Sequence, residues 1–294
     1  MKFRNVLMGI TVCLLIACTA FAGRSQNGVD WDAGNGVEIQ ATGIGLPGKF
    51  KGSQGRVMAR RAAITDAYRE LLAQINEIRV DAETLMKEHA LKSDIVRTKI
   101  SGFVRGAKIV NEGMEEDGVY YVTMSIPMYG ENSLASVAVP EIIKAPVEAK
   151  APAVVTAQSS VMTTEKFTTA VNEINRSTFS GIVVDASGMG LECTMAPQII
   201  DSNGRVIYGK ENIDLNFAVS HGLVEYTKDI EKARSGATRA GARPVIFRAL
   251  AVKGGSNSVN PVNVVVSPED ADKILILAAS DRSIMKKGLI VFVR

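Results

Sequence analysis

The feature that most constrains this chain is a strand, a glycine pair and a helix in direct succession over residues 37–78. VEIQATGIG alternates as a β-strand, with Val37, Ile39, Ala41 and Gly43 on one face. A helical pattern follows over about 55–78, where Ile64, Ala67, Leu71, Ile75 and Ile78 recur at three or four residues and line one side. Ala59, Ala62 and Ala63 thin the neighbouring side, so the helix is expected to lie close against a sheet. A shorter helix is predicted over 82–91. GFVRGAKIVNE and GVYYVTMSIPMY then read as two strands joined by the acidic turn Gly113, Met114, Glu115, Glu116, Asp117, Gly118, with Tyr120, Val122, Met124 and Ile126 on the buried face. The order strand, helix, strand, strand predicts an α+β layer with an antiparallel sheet over residues 29–130.

The glycines pose a question of chemistry. GIGLPGKF comes within one letter of the phosphate-binding pattern G-x-x-x-x-G-K-[ST]. Phe50 supplies no hydroxyl for magnesium, and Gly52 and Gly55 delay the helix that should begin beside Lys49. The stretch is therefore not expected to bind nucleotide.

Residues 131–160 change character. Pro140, Pro146 and Pro152 recur among Ala, Val, Lys and Glu, which predicts a semi-extended linker. Residues 161–294 read as a second α+β domain, again with an antiparallel sheet and helices packed on it. SGIVVDASG is a strand, and Asp201, Ser202, Asn203 and Gly204 form a hairpin turn between MGLECTMAPQII and RVIYG. A helix is predicted over 216–233 with Phe217, Val224 and Ile230 inward. PVIFRALAV, VNVVV and KKGLIVFVR are further strands. Ser267, Pro268, Glu269 and Asp270 start a helix that ends near Ser280, since serine caps, proline fits the first turn and acids favour the dipole.

The first residues, MKFRNVLMGITVCLLIACTAFAG, carry a basic start and an apolar run too short for the roughly 20 residues that span a bilayer. They predict an export signal, and two cleavage readings stand side by side. Ala20, Phe21 and Ala22 form a small-x-small site that cuts between Ala22 and Gly23, making residues 1–22 the signal. Leu15, Ile16, Ala17 and Cys18 satisfy a lipobox, which would make residues 1–17 the signal and leave Cys18 lipidated. Loss of Lys2 and Arg4 with the signal brings the net charge from +3 to about +1, which is no nucleic-acid footprint. Of three cysteines only Cys193 then lies outside the signal region, so no internal disulfide forms, and Cys193 reads as a small buried hydrophobe.

The search for chemistry predicts no catalytic residue, no metal ligand set and no cofactor. His89 and His221 have no Cys or His at ligand spacing. Ser187 in DASGMG lacks the G-x-S-x-G frame, and Ser220 beside His221 points away from it on a helix. Glu115, Glu116 and Asp117 read as a solvated hairpin tip. Lys49, Lys51, Arg56, Arg60 and Arg61 stand out: five cations around a helix N-terminus, where the dipole disfavours them. They read either as snorkelling side chains flanking the helix or as a contact for an anion or a partner.

GVEIQATGIG, ARRAAITDAYRELLAQI, SGFVRGAKIVNEG and YYVTMSIPMYG together resemble the bacterial Lpp-twenty lipoprotein family and the related domain of FlgP- and FlgT-type flagellar envelope proteins. The resemblance covers about 95 residues of the first domain. It implies export, lipid attachment at Cys18 and a non-enzymatic structural or assembly role in the periplasm at the outer membrane, some relatives being flagellar. Implied partners are envelope proteins, like subunits and, through an anchor, outer-membrane lipid. The alternative expectation is a periplasmic module that binds peptidoglycan or another anionic envelope polymer through the basic cluster.

Overall fold

The computed structural model describes residues 27–88, 93–144, 179–255 and 258–294. The chain is α+β throughout, as expected. The N-terminal half runs β1 (Gly28–Val29), a 3-10 turn (Trp31–Gly36), β2 (Glu38–Gly45), α1 (Gly52–Glu77), α2 (Asp94–Val104), β3 (Lys108–Met114), β4 (Tyr120–Pro127) and α3 (Leu134–Lys144). Its sheet has the order β1-β2-β4-β3 and every neighbouring pair is antiparallel.

The strand face drawn from sequence is the buried one: Val37, Ile39, Ala41 and Gly43 turn inward, opposite Val122, Met124 and Ile126 of β4. The helix face differs from expectation. The buried stripe of α1 is Gly55, Ala59, Ala63, Ala67, Leu71 and Ile75, a strict four-residue repeat, while Ile64 is only half-buried and Ala62 faces solvent. Four residues turn an α-helix by about 40° more than a full turn, so this stripe winds along α1 and follows a twisted sheet.

Three other expectations are corrected. Gly102, Phe103 and Val104 end α2 and do not begin a strand; Ser93 caps this helix by accepting from the Val96 amide. The helix expected over 82–91 begins late, because residues 79–85 form a turn closed by a bridge between Arg79 and Leu85. Within the expected linker, residues 134–144 are α3, with Pro140 inside it. Ser133 accepts from the Ser136 amide at the helix start, and burial of Leu134, Ala135, Ala138, Val139 and Ile142 offsets the hydrogen bond that proline cannot make. Residues 145–160 of that expected linker, and His89, lie outside the described residues.

The C-terminal half contains β5 (Gly181–Asp185), β6 (Ile199–Asp201), β7 (Val206–Tyr208), α4 (Leu215–His221), β8 (Glu225–Thr227), α5 (Ile230–Arg234), β9 (Pro244–Arg248), β10 (Ala251–Lys253), β11 (Asn263–Val266), α6 (Pro268–Ser280), α7 (Ser283–Lys286) and β12 (Ile290–Val293). Here the expected antiparallel sheet is corrected. β8-β12-β5-β9 is wholly parallel, and β10-β11-β6-β7 is mixed, with β11 and β6 parallel. The physical reason is visible in the strands: all four residues of β11 and of β12 are buried, and all but Asn263 are apolar, the signature of strands covered on both faces.

The expected helix over 216–233 is two short helices with β8 between them. Gly222, at φ +77°, ends α4, and a side chain there would meet the Tyr129 ring at 2.6 Å. The hairpin at 201–204 and the helix Pro268–Ser280 form as predicted; Ser267 Oγ accepts from the Asp270 amide at 3.0 Å.

One apolar core runs through both halves. Backbone bonds stitch them together: the carbonyls of Arg79 and Val80, just beyond α1, accept from the amides of Met195 and Ala196 at 3.0 and 2.8 Å.

Candidate functional site

Two places gather exposed or chemically capable groups, at opposite ends of α1. The first is the free end of the N-terminal half. β2 and α1 meet there backbone to backbone: a Cβ built on Gly43 would lie 2.0 Å from the Ala67 amide nitrogen, and one on Gly45 would lie 2.0 Å from the Ala59 carbonyl oxygen. This contact explains the phosphate-loop look-alike. The glycines bring the helix down on the strand, and Asp66 on that helix accepts from the Ile44 amide at 2.9 Å.

The five predicted cations divide at this end. Arg60 is spent on Glu112 of β3, with Nε–Oε2 at 2.7 Å and a second bond at 3.3 Å. That hydrogen bond and charge raise its guanidinium pKa. Lys49, Lys51, Arg56 and Arg61 are exposed and form no ion pair among the described residues. Lys51 stands at the N-cap of α1 without a side-chain cap, so nothing local offsets its position on the dipole. Around these cations lie exposed apolar groups, Leu46 at 65%, Val57 at 51% and Met114 at 48%, with the acidic turn Glu115 to Asp117 beside them. A lone exposed leucine means little; a cluster with a charged rim marks a contact surface.

The second place is the edge where all four strands of the parallel sheet end. Parallel sheets bind ligands at their carboxyl ends, and here that edge is crowded with charge. At the ends of β5 and β9, Arg248 bonds Asp185 at 2.7 Å and donates to the Ser187 hydroxyl and carbonyl, while Ser187 Oγ donates to Asp185 at 2.6 Å. Burial alone would push the Asp185 carboxyl up, but the Ser187 side-chain and backbone bonds, then Arg248, outweigh it and hold the group below its ordinary value. This network therefore stabilises the fold above the usual carboxylate range, near pH 4, and its contribution is lost as pH falls through the lowered value. Ser187→Ala is expected to shift the acid-unfolding midpoint to higher pH, read by circular dichroism against wild type. Ser187 is thus a polar anchor at a strand end. His221 lies elsewhere, stacked on Phe217 with ring centroids 4.3 Å apart.

At the ends of β8 and β12 the edge receives the 3-10 turn of the other half. Arg294 grips Asp32 with two bonds, at 2.7 and 3.3 Å, and Lys228 adds a third contact at 3.4 Å. Trp31 meets Tyr226 edge-on at 5.8 Å, and Tyr226 meets Phe292 in the same way at 6.0 Å. Beside them is a cleft of about 450 Å³ lined by Ala33, Gly34, Glu225, Lys232, Thr238 and Arg239, among others. Its floor is a buried pair: Glu225 accepts from the Arg239 amide at 2.7 Å, with Arg239 Nε 3.7 Å away. The Arg239 guanidinium donates to the carbonyls of His221, Gly222 and Gly288, and burial lowers its pKa. Nothing in the sequence flagged this network. The tyrosines around it, Tyr129, Tyr208 and Tyr226, are all pushed well above their ordinary value by burial. Cys193 is half-buried, its thiol pushed up to about 12 by burial, as a packed hydrophobe requires.

Cys18, Ala22 and Gly23 lie outside the described residues. Among the described residues there is no group of three or more His, Cys, Asp or Glu placed to hold a metal, and no helix long and apolar enough to cross a membrane.

Comparison with known families places residues 181–294 in similarity to the second domain of Tp0624 of Treponema pallidum. The matched stretch begins at the first residue of β5 and spans the C-terminal half, including both of its sheets. No curated protein matches the chain.

Proposed function

We propose that this is an exported, non-enzymatic envelope protein, outer-membrane-associated in the periplasm, with a structural or assembly role. The observation that carries the reading is the free end of the N-terminal half, where exposed Leu46, Val57 and Met114 sit among Lys49, Lys51, Arg56 and Arg61. The 26-residue α1 is about 39 Å long and runs from that end towards the junction with the C-terminal half. The signal-like first residues and the Lpp-twenty resemblance of the N-terminal half support export and attachment, and the flagellar relatives make a basal-body association one form of it. The four cations without an ion pair among the described residues favour a second reading, a module that binds peptidoglycan or another anionic envelope polymer.

The deciding experiment is the intact mass of the native protein extracted from membranes of the producing cell. A mass that starts at Cys18 with acyl chains is the expected result, and one that starts at Gly23 moves the reading to a soluble periplasmic module. Retention of Met1 in a cytoplasmic fraction would overturn both. Leu46→Asp with Val57→Asp should then release the protein from its envelope partner without lowering its melting temperature. If instead Lys49→Glu with Arg61→Glu abolishes sedimentation with purified sacculi, the polymer-binding reading holds.

A further inference from the structure

We infer that the carboxyl-end face of β8 and β12 is a peptide-binding site for an aromatic–acidic segment, filled here by the chain's own Trp31–Asp32 and able to take the same segment from a second copy. The chemistry of the seat is specific. Arg294 and Lys228 directly follow the last residues of β12 and β8, so the sheet itself fixes their start points, and the Arg294 amide is tied to the Thr227 carbonyl at 2.9 Å. Arg294 takes the Asp32 carboxylate through two nitrogens, the planar match that a point charge does not provide. Tyr226, itself backed edge-on by Phe292, supplies the wall for an indole in the edge-on geometry that aromatic pairs prefer. Lys232 Nζ reaches the Asp32 carbonyl at 3.4 Å, so the backbone of the segment is read as well.

Among the described residues, β1 pairs with β2 at Gly28 with Gln40 and Val29 with Ile39, and Asn27 Oδ1 accepts from the Thr42 amide. Gly34, at φ +63° and ψ −119°, breaks the 3-10 turn just after Asp32 and supplies a hinge that side-chain-bearing residues resist. The cleft next to the seat is lined on the segment's side by Ala33 and Gly34, and a Cβ on Gly34 would lie 3.4 Å from Glu225 Oε1. Exchange of such a segment between copies conserves every contact and needs only the hinge to open.

Trp31 is the only tryptophan, which makes the wild-type chain its own reporter. The probe is a synthetic peptide of residues 28–36 carrying Trp31→Phe, added in excess to the full chain. Displacement moves the indole into water, so a saturable red shift of its emission is expected, with a peptide also carrying Asp32→Ala at least about tenfold weaker. A complementation test addresses the second copy. One full-length variant carries Trp31→Ala and Asp32→Ala, and the other keeps the segment but carries Arg294→Glu. Each alone should stay monomeric in sedimentation, and an equimolar mixture should form a heterodimer. No spectral shift at saturating peptide together with a monomeric mixture would overturn the inference; the spectral arm uses wild-type protein, so misfolding of a variant does not blunt it.

Discussion

Replacing Gly43 by valine is expected to remove a large share of this protein's stability, a larger loss than any surface change in the chain. The side chain would enter at 2.0 Å from the Ala67 amide nitrogen and 2.4 Å from the Ala63 carbonyl oxygen, both backbone atoms of α1. Backbone of a packed helix cannot step aside as a flexible side chain does, so β2 and α1 must separate. Overpacking of this kind costs about 3 kcal/mol or more, set against a total stability of about 5–15 kcal/mol. Separation would also break the bond from the Ile44 amide to Asp66. Gly102→Ala is the control. Gly102 is exposed within α2 with nothing within 4 Å of its missing Cβ, so alanine should leave stability unchanged or raise it by about 0.5–1 kcal/mol. Urea denaturation of the two variants reads the contrast directly. A Gly43 variant with a wild-type midpoint would mean that α1 does not rest on β2 as described.

The second large effect is expected at Arg239→Met. The side chain is only 7% exposed and faces Glu225, itself 6% exposed. Methionine preserves apolar bulk but leaves the Glu225 carboxylate with the backbone amide of residue 239 and no guanidinium charge beside it, and removes the donor from the carbonyls of His221, Gly222 and Gly288. Removing one partner of a buried ion pair costs about 3–5 kcal/mol. Glu225→Leu alongside Arg239→Met should recover only part of that loss, because the carbonyls remain without their donor. The measurement is the urea midpoint at constant slope for both variants. A full recovery in the double variant would show that the guanidinium acts on Glu225 alone and that its carbonyl bonds carry no net energy.

These two predictions mark different degrees of legibility. The β2–α1 contact was half visible: alternation placed Ile39, Ala41 and Gly43 inward, and alanines announced a close approach. The stripe itself was misplaced onto Ile64 and Ala62, because a four-residue repeat drifts around the helix and periodic counting assumes a straight face. The Arg239 network left no trace in sequence. The partners of Arg239 come from four places, at 129, 208, 221–225 and 288, and only the packing of the N-terminal half against the C-terminal half brings them together.

Local chemistry fixed what was correctly read: the strand expected over 37–44 and found at Glu38–Gly45, the hairpin at Asp201 to Gly204, and the helix that Ser267 caps and Pro268 opens. Each rests on residues within a few positions of one another, whose φ preferences and hydrogen bonds act before any distant contact forms. Strand direction in the C-terminal half, the helix that contains Pro140, the break at Gly222 and the seat of Asp32 on Arg294 were settled elsewhere. They depend on partners up to 262 residues away, and burial against those partners outweighs local propensity.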